Sequence, residues 1–156
     1  MPAELRVAKS MLHFGEEPPI TGKNGTGAVF FNGCTLRCRF CQNAEIATGG
    51  QATDLRRILE DLVERGAESI DLVTPTQFLP DILPALTPKL PVPVVYNCGG
   101  YESVETLKHL EGLVDVYLPD LKYSDNALAR KLSQAPDYFE VATAAIQEMY
   151  RQTGPA

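Results

Sequence analysis

Short apolar runs alternate along the chain with stretches whose apolar residues recur three and four positions apart. Ala28-Val29-Phe30-Phe31-Asn32 is a compact apolar and aromatic run that stops at Gly33, which predicts a strand. Leu55, Ile58, Leu59, Leu62 and Val63 recur at helical spacing and predict a helix over 53–65, with Thr53 or Asp54 as its cap and Gly66 at its end. The same reading gives strands over 69–73, 92–97 and 114–118. Further helices fall at about 78–86, 103–110, 126–133 and 137–151. In the last of these Phe139, Ala142, Ala145, Ile146 and Met149 share one face.

Strand–helix alternation of this kind predicts an α/β fold with a parallel sheet. The strands are apolar at successive positions, as parallel strands covered on both faces are. Residues 1–26 show no period and predict an irregular N-terminal arm, followed by a core domain over 27–156 with about four βα units. Four strands do not close a barrel. A further strand is expected where the chain stops, so the core is read as incomplete at its C-terminus.

Composition narrows the function. A hydrophobic share of 44% excludes disorder as the main state. A net charge of −6 argues against non-specific nucleic-acid binding, which needs a cationic surface. No apolar run approaches the roughly 20 residues of a membrane span, and Met1 to Phe14 lacks the apolar centre of a signal peptide. The expected location is the cytoplasm. In that reducing compartment, cysteines clustered at 34, 38 and 41 point to metal or redox chemistry rather than disulfides.

Cys34-Thr35-Leu36-Arg37-Cys38-Arg39-Phe40-Cys41 is a C-x3-C-x2-C array. One short loop at this spacing can wrap three thiolates round one soft centre, an iron–sulfur cluster, zinc or copper(I). Closed zinc and iron–sulfur sites take four protein ligands. A fourth neighbour is missing here, which leaves a coordination position open to substrate. A zinc site completed by His13 or Cys98 is the competing reading.

With Phe40 before its last cysteine, the array resembles the signature of the radical S-adenosylmethionine superfamily. The segment from Gly27 to Asn43, with His13-Phe14-Gly15-Glu16-Glu17-Pro18-Pro19 upstream, is similar to the pyruvate formate-lyase activating enzyme-like group. The resemblance runs from about Leu12 to Lys122. It implies part of a partial TIM-type barrel, with Cys34, Cys38 and Cys41 as ligands of a [4Fe–4S] cluster. S-adenosylmethionine would bind the remaining iron and be cleaved reductively to a 5′-deoxyadenosyl radical that abstracts hydrogen. An external electron donor is implied, and a partner protein with a glycyl radical site is one candidate substrate. A small molecule fits the sequence equally.

Ligands of parallel α/β folds bind at the carboxyl ends of the strands. Each predicted strand ends in polar residues. Thr74 and Thr76 stand where many relatives in this superfamily carry a Gly-Gly-Glu motif for the cofactor's amino group; that motif is absent, and a helix cap is the plainer role for Thr76. Asn97 stands near the expected cofactor carboxylate, with Gly99-Gly100 either approaching a ligand or making a turn. Asp120 and Lys122 match an Asp-x-Lys pair near the methionyl end, or form a surface ion pair. Cys98 reads as a packing residue. His13, Glu16 and Glu17 read as solvated or turn-forming, or as an arm over the substrate opening. The alternative function is a non-catalytic iron–sulfur or zinc-binding module, or an inactive fragment.

Overall fold

The computed structural model describes residues 4–45 and 50–155. Residues 1–3 of the predicted arm, and residues 46–49 and 156 of the predicted core domain, lie outside the described residues.

The elements in chain order are β1 (Arg6–His13), α1 (Pro18–Thr21), β2 (Thr26–Phe31), β3 (Gln51–Ala52), α2 (Leu55–Glu64), β4 (Ile70–Val73), a 3₁₀ turn (Thr76–Phe78), α3 (Leu79–Ala85), β5 (Val94–Cys98), α4 (Val104–Lys108), β6 (Val116–Pro119), α5 (Asn126–Ser133) and α6 (Tyr138–Thr153). They make an α/β fold with one six-stranded sheet in the order β3-β1-β2-β4-β5-β6. β2, β4, β5 and β6 run parallel, as the βα rhythm predicts. β1 runs antiparallel to both β2 and β3.

The N-terminal segment corrects the prediction of an irregular arm. Arg6–His13 is a full strand paired with β2, from Val7 opposite Phe31 to His13 opposite Thr26. It escapes a periodicity reading because a register shift between Val7 and Lys9 breaks its alternation. His13 lies at the amino end of β2, whereas the cysteine loop leaves from the carboxyl end. Ser69, just before β4, holds this segment by donating to the Ile20 carbonyl at 2.7 Å.

α2 shows why the helices sit where they do. Asp54 accepts from the Arg57 N–H and caps its start. Leu55, Leu59 and Leu62 form its buried stripe, each 3% exposed or less. They pack on Val29, Ile70 and Leu72 in the main core, which α3, α4 and α6 extend through Ile82, Leu107 and Met149. Burial of each such side chain stabilises by roughly 1.5–3 kcal/mol. The whole of this core lies on one face of the sheet. The other face presents Ala28, Phe30, Asp71, Val73, Val95 and Asn97, so the strands are not sandwiched between two helical layers as their composition predicts.

Among the described residues no helix is long and apolar enough to cross a membrane. α6 buries Tyr138, Ala142, Ala145 and Met149. Phe139, placed on the buried face by the sequence, is 36% exposed instead, because Tyr138 takes the inward position one residue earlier.

Candidate metal and cofactor cleft

The carboxyl ends of β2, β4, β5 and β6 surround one cleft of about 220 Å³. Cys34, Cys38 and Cys41 line it from the loop after β2, together with Phe40. Thr74, Asn97, Asp120 and Lys122 line it from the ends of the other three strands. Eight of the nine residues predicted for the site, all but Thr76, are thus brought together in the cleft walls, with Phe40 half exposed at the rim.

The cysteine loop is held from three sides. Gln77 Nε2 donates to the carbonyls of Asn32 and Gly33 at 2.8 and 3.1 Å, fixing the loop's start. Leu36 is the apolar plug; it is 5% exposed and packs with Tyr123, Ala129, Tyr138 and Ala142. The end of α5 supplies the third hold. Its free carbonyls at Leu132 and Ser133 accept from the Arg39 and Arg37 N–H groups at 2.9 and 3.5 Å. Ser133 Oγ also donates to Cys38 Sγ at 2.9 Å.

The glycines after β5 serve the protein's own packing. A Cβ on Gly99 would stand 2.8 Å from Leu36 Cδ1, inside the plug. Gly100 has φ +78°, and a Cβ there would meet the Asp120 carbonyl at 2.8 Å. Tyr138 ties this corner together. Its hydroxyl accepts from the Lys122 N–H at 2.8 Å and lies 2.7 Å from the carbonyls of Gly99 and Asp120, to one of which it donates.

Lys122 Nζ and Asp120 Oδ2 form an ion pair at 2.7 Å on the cleft wall. Partial burial works against the ammonium, but the Asp120 carboxylate outweighs it and raises the Lys122 pKa, so Lys122 stays charged. Thr74 has φ +54°, a left-handed conformation that is strained for a β-branched residue. Its N–H is held by the Asn97 carbonyl at 2.9 Å. Strained backbone of this kind gathers at functional sites.

Thr76 is the predicted residue that the fold does not bring to the cleft. Its hydroxyl donates to buried Glu102, which also accepts from Tyr96 Oη at 3.3 Å. The 3₁₀ turn has no side-chain cap, so a capping role for Thr76 is absent as well. Burial pushes the Glu102 carboxyl up to about 7, against the hydrogen bonds from Thr76 and Tyr96. Cys98 touches the cleft but is 2% exposed and belongs to the helix-side core. Burial raises its thiol well above the usual range.

As donors, the three loop cysteines suit a soft centre. Desolvation in the cleft raises the Cys34 thiol, Cys38 and Cys41 add to that, and the Leu36 N–H opposes it. A bound soft cation takes such ligands as thiolates and releases their protons. Among the described residues no three His, Cys, Asp or Glu side chains are drawn tightly enough together to enclose a metal ion as they stand. Cys34 and Cys41 are exposed on the loop.

No family model matches the chain. Among curated proteins it is 30% identical over 153 residues to an uncharacterized protein of Methanocaldococcus jannaschii. The match takes in 88% of this chain and 44% of that protein, so the chain spans less than half the length of the relative it matches.

Proposed function

We propose that the chain carries the cluster and cofactor site of a radical S-adenosylmethionine enzyme, similar to the pyruvate formate-lyase activating enzyme-like group. The carrying observation is that the cysteine array and the polar ends of three further parallel strands share one cleft. The helices of the main core pack on one face of the sheet and not on the other, an arrangement that suits the wall of a partial TIM-type barrel.

In this reading Cys34, Cys38 and Cys41 hold a [4Fe–4S] cluster. When bound, the cluster supplies the electron that cleaves S-adenosylmethionine to methionine and a 5′-deoxyadenosyl radical, which abstracts hydrogen from a substrate. Lys122, kept charged by Asp120, offers its ammonium to the cofactor's carboxylate. Thr74, on the cleft wall, offers its hydroxyl and backbone oxygen as acceptors for the cofactor's amino group. Asn97 supplies an amide between these two. Phe40 stands 52% exposed at the rim, edge-on to Tyr123, and shields the cluster side from water. An external donor provides the electron in the cytoplasm, and the substrate is a glycyl radical protein or a small molecule.

Iron and sulfide content after anaerobic reconstitution tests the site. About four irons per chain are expected, falling sharply in Cys34→Ala, Cys38→Ala and Cys41→Ala but not in Cys98→Ala. Stoichiometric zinc, or iron retained in all three variants, is incompatible with this reading.

A further inference from the structure

Arg37 and Arg39 stand in the cysteine loop, and Arg130 and Lys131 in the last turn of α5. Two backbone bonds knit these segments together, from the Arg37 N–H to the Ser133 carbonyl and from the Arg39 N–H to the Leu132 carbonyl. All four residues are exposed. Among the described residues none of them forms an ion pair. Their own segments offer no acid, since residues 34–44 and 126–136 contain neither Asp nor Glu. The flanking acids are turned to other work: Asp125 accepts from the Ala127 and Leu128 N–H groups, and Asp137 from the Tyr101 hydroxyl. Glu45, beyond the loop, is exposed and makes no such pair.

The carbonyl end of a helix favours cations nearby. Here its last carbonyls are already taken by the Arg37 and Arg39 backbone, so the four side-chain charges stay unspent. A chain of net charge −6 therefore carries a local cationic surface around its cysteine loop. Apolar area lies within it. Phe40, on the same loop, is 52% exposed, and Leu128, one turn before Lys131 on α5, is 49% exposed. Exposed apolar residues rimmed by charge are the make-up of a protein interface. Nucleic acid would demand a more cationic chain than this one.

We propose that this surface docks an acidic protein that carries single electrons. Weak electron-transfer encounters use small interfaces, and opposite charges steer them to fast association. The patch also touches the cysteines directly, because Ser133 Oγ donates to Cys38 Sγ at 2.9 Å, within one turn of Arg130 and Lys131. A carrier seated there is oxidised by one electron, which the group held by the cysteines takes up, and no atom is transferred. Naming the partner an electron carrier rests on the function proposed above. The docking of an acidic protein itself does not.

The test titrates plant-type [2Fe–2S] ferredoxin, an acidic carrier, into the full chain by calorimetry at low and high salt. Cytochrome c, a basic carrier, and a single-stranded oligonucleotide are the controls. Saturable ferredoxin binding that weakens with salt is expected. It should fall about tenfold in the double variant Arg130→Glu, Lys131→Glu and stay unchanged in Arg57→Glu, an exposed cation of α2 outside the patch. Arg37→Glu with Arg39→Glu keeps the test readable if the α5 variant does not fold, with the same loss expected. Absence of ferredoxin binding, binding indifferent to salt, or equal affinity in the reversed variant overturns the proposal. So does equal or tighter binding of cytochrome c or of the oligonucleotide. The titration needs neither cluster nor S-adenosylmethionine, so these outcomes stay separate from any failure of the radical chemistry.

Discussion

The Ser133 hydroxyl donates to the Cys38 sulfur at 2.9 Å, joining the end of α5 to the cysteine loop across 95 positions of sequence. Tyr123 Oη lies 2.6 Å from Ser133 Oγ. With the serine proton committed to sulfur, the tyrosine is the donor between the two hydroxyls. Hydrogen bonds to a ligating sulfur ease reduction of an iron–sulfur cluster. Ser133→Ala should therefore lower the cluster's potential. At a fixed applied potential the ratio of reduced to oxidised cluster should fall about tenfold, or 59 mV for one electron. A redox titration followed by electron paramagnetic resonance reads this directly. An unchanged potential would mean that the bond only braces the loop.

Tyr138→Phe should loosen the cleft wall. The hydroxyl is shared by Lys122, Gly99 and Asp120, and its loss leaves a backbone N–H and a carbonyl unpaired beside the cleft. The cost is about 1–3 kcal/mol in urea unfolding. S-adenosylmethionine should also bind more weakly, because Lys122 loses its anchor. A variant with wild-type stability and affinity would remove Tyr138 from the account.

Much of this arrangement is legible in the sequence, and what is not has identifiable causes. The strands at β2, β4, β5 and β6 and the helices at α2 and α5 follow from apolar spacing because one strong core enforces it. The cysteine array, Asn97, Asp120 and Lys122 are legible because polar residues at strand ends share a face. β1 is hidden by its register shift, and the two-residue β3 is too short to carry a pattern. Ser133, Tyr138 and Gln77 act through contacts distant in sequence, which spacing does not encode. Asp71 left one sign, a lone acid inside an apolar strand, and Thr76 was misplaced because its partner Glu102 lies 26 residues away.

Stability should depend on pH through Asp71 and Glu102. Burial raises their carboxyls from 3.8 and 4.5 to about 7 in each case. A raised folded-state pKa means that the folded protein holds its proton more tightly than the unfolded chain. The contribution is whole below about pH 4 and is lost as pH rises toward about 7. The loss is at most about 4 kcal/mol for Asp71 and about 3 kcal/mol for Glu102. Asp71→Asn and Glu102→Gln should each flatten the profile between pH 4 and 7, measured by urea unfolding at a series of pH values. A profile that instead rises through this window contradicts the burial of both acids.

Gly100→Ala should destabilise the junction between β5 and β6. The residue is left-handed, and the new methyl meets the Asp120 carbonyl at 2.8 Å. A loss of about 1–3 kcal/mol is expected from strain of this kind. Thermal unfolding beside a Gly112→Ala control, which has nothing within 4 Å, separates the clash from the conformational cost of φ +81°.

The central claim is tested most directly by assaying 5′-deoxyadenosine after anaerobic reconstitution, reduction and addition of S-adenosylmethionine. The account predicts a cluster whose spectrum shifts with S-adenosylmethionine, 5′-deoxyadenosine from the wild-type chain, and none from Cys38→Ala. A reconstituted cluster whose spectrum is unmoved by S-adenosylmethionine and which yields no 5′-deoxyadenosine would contradict it.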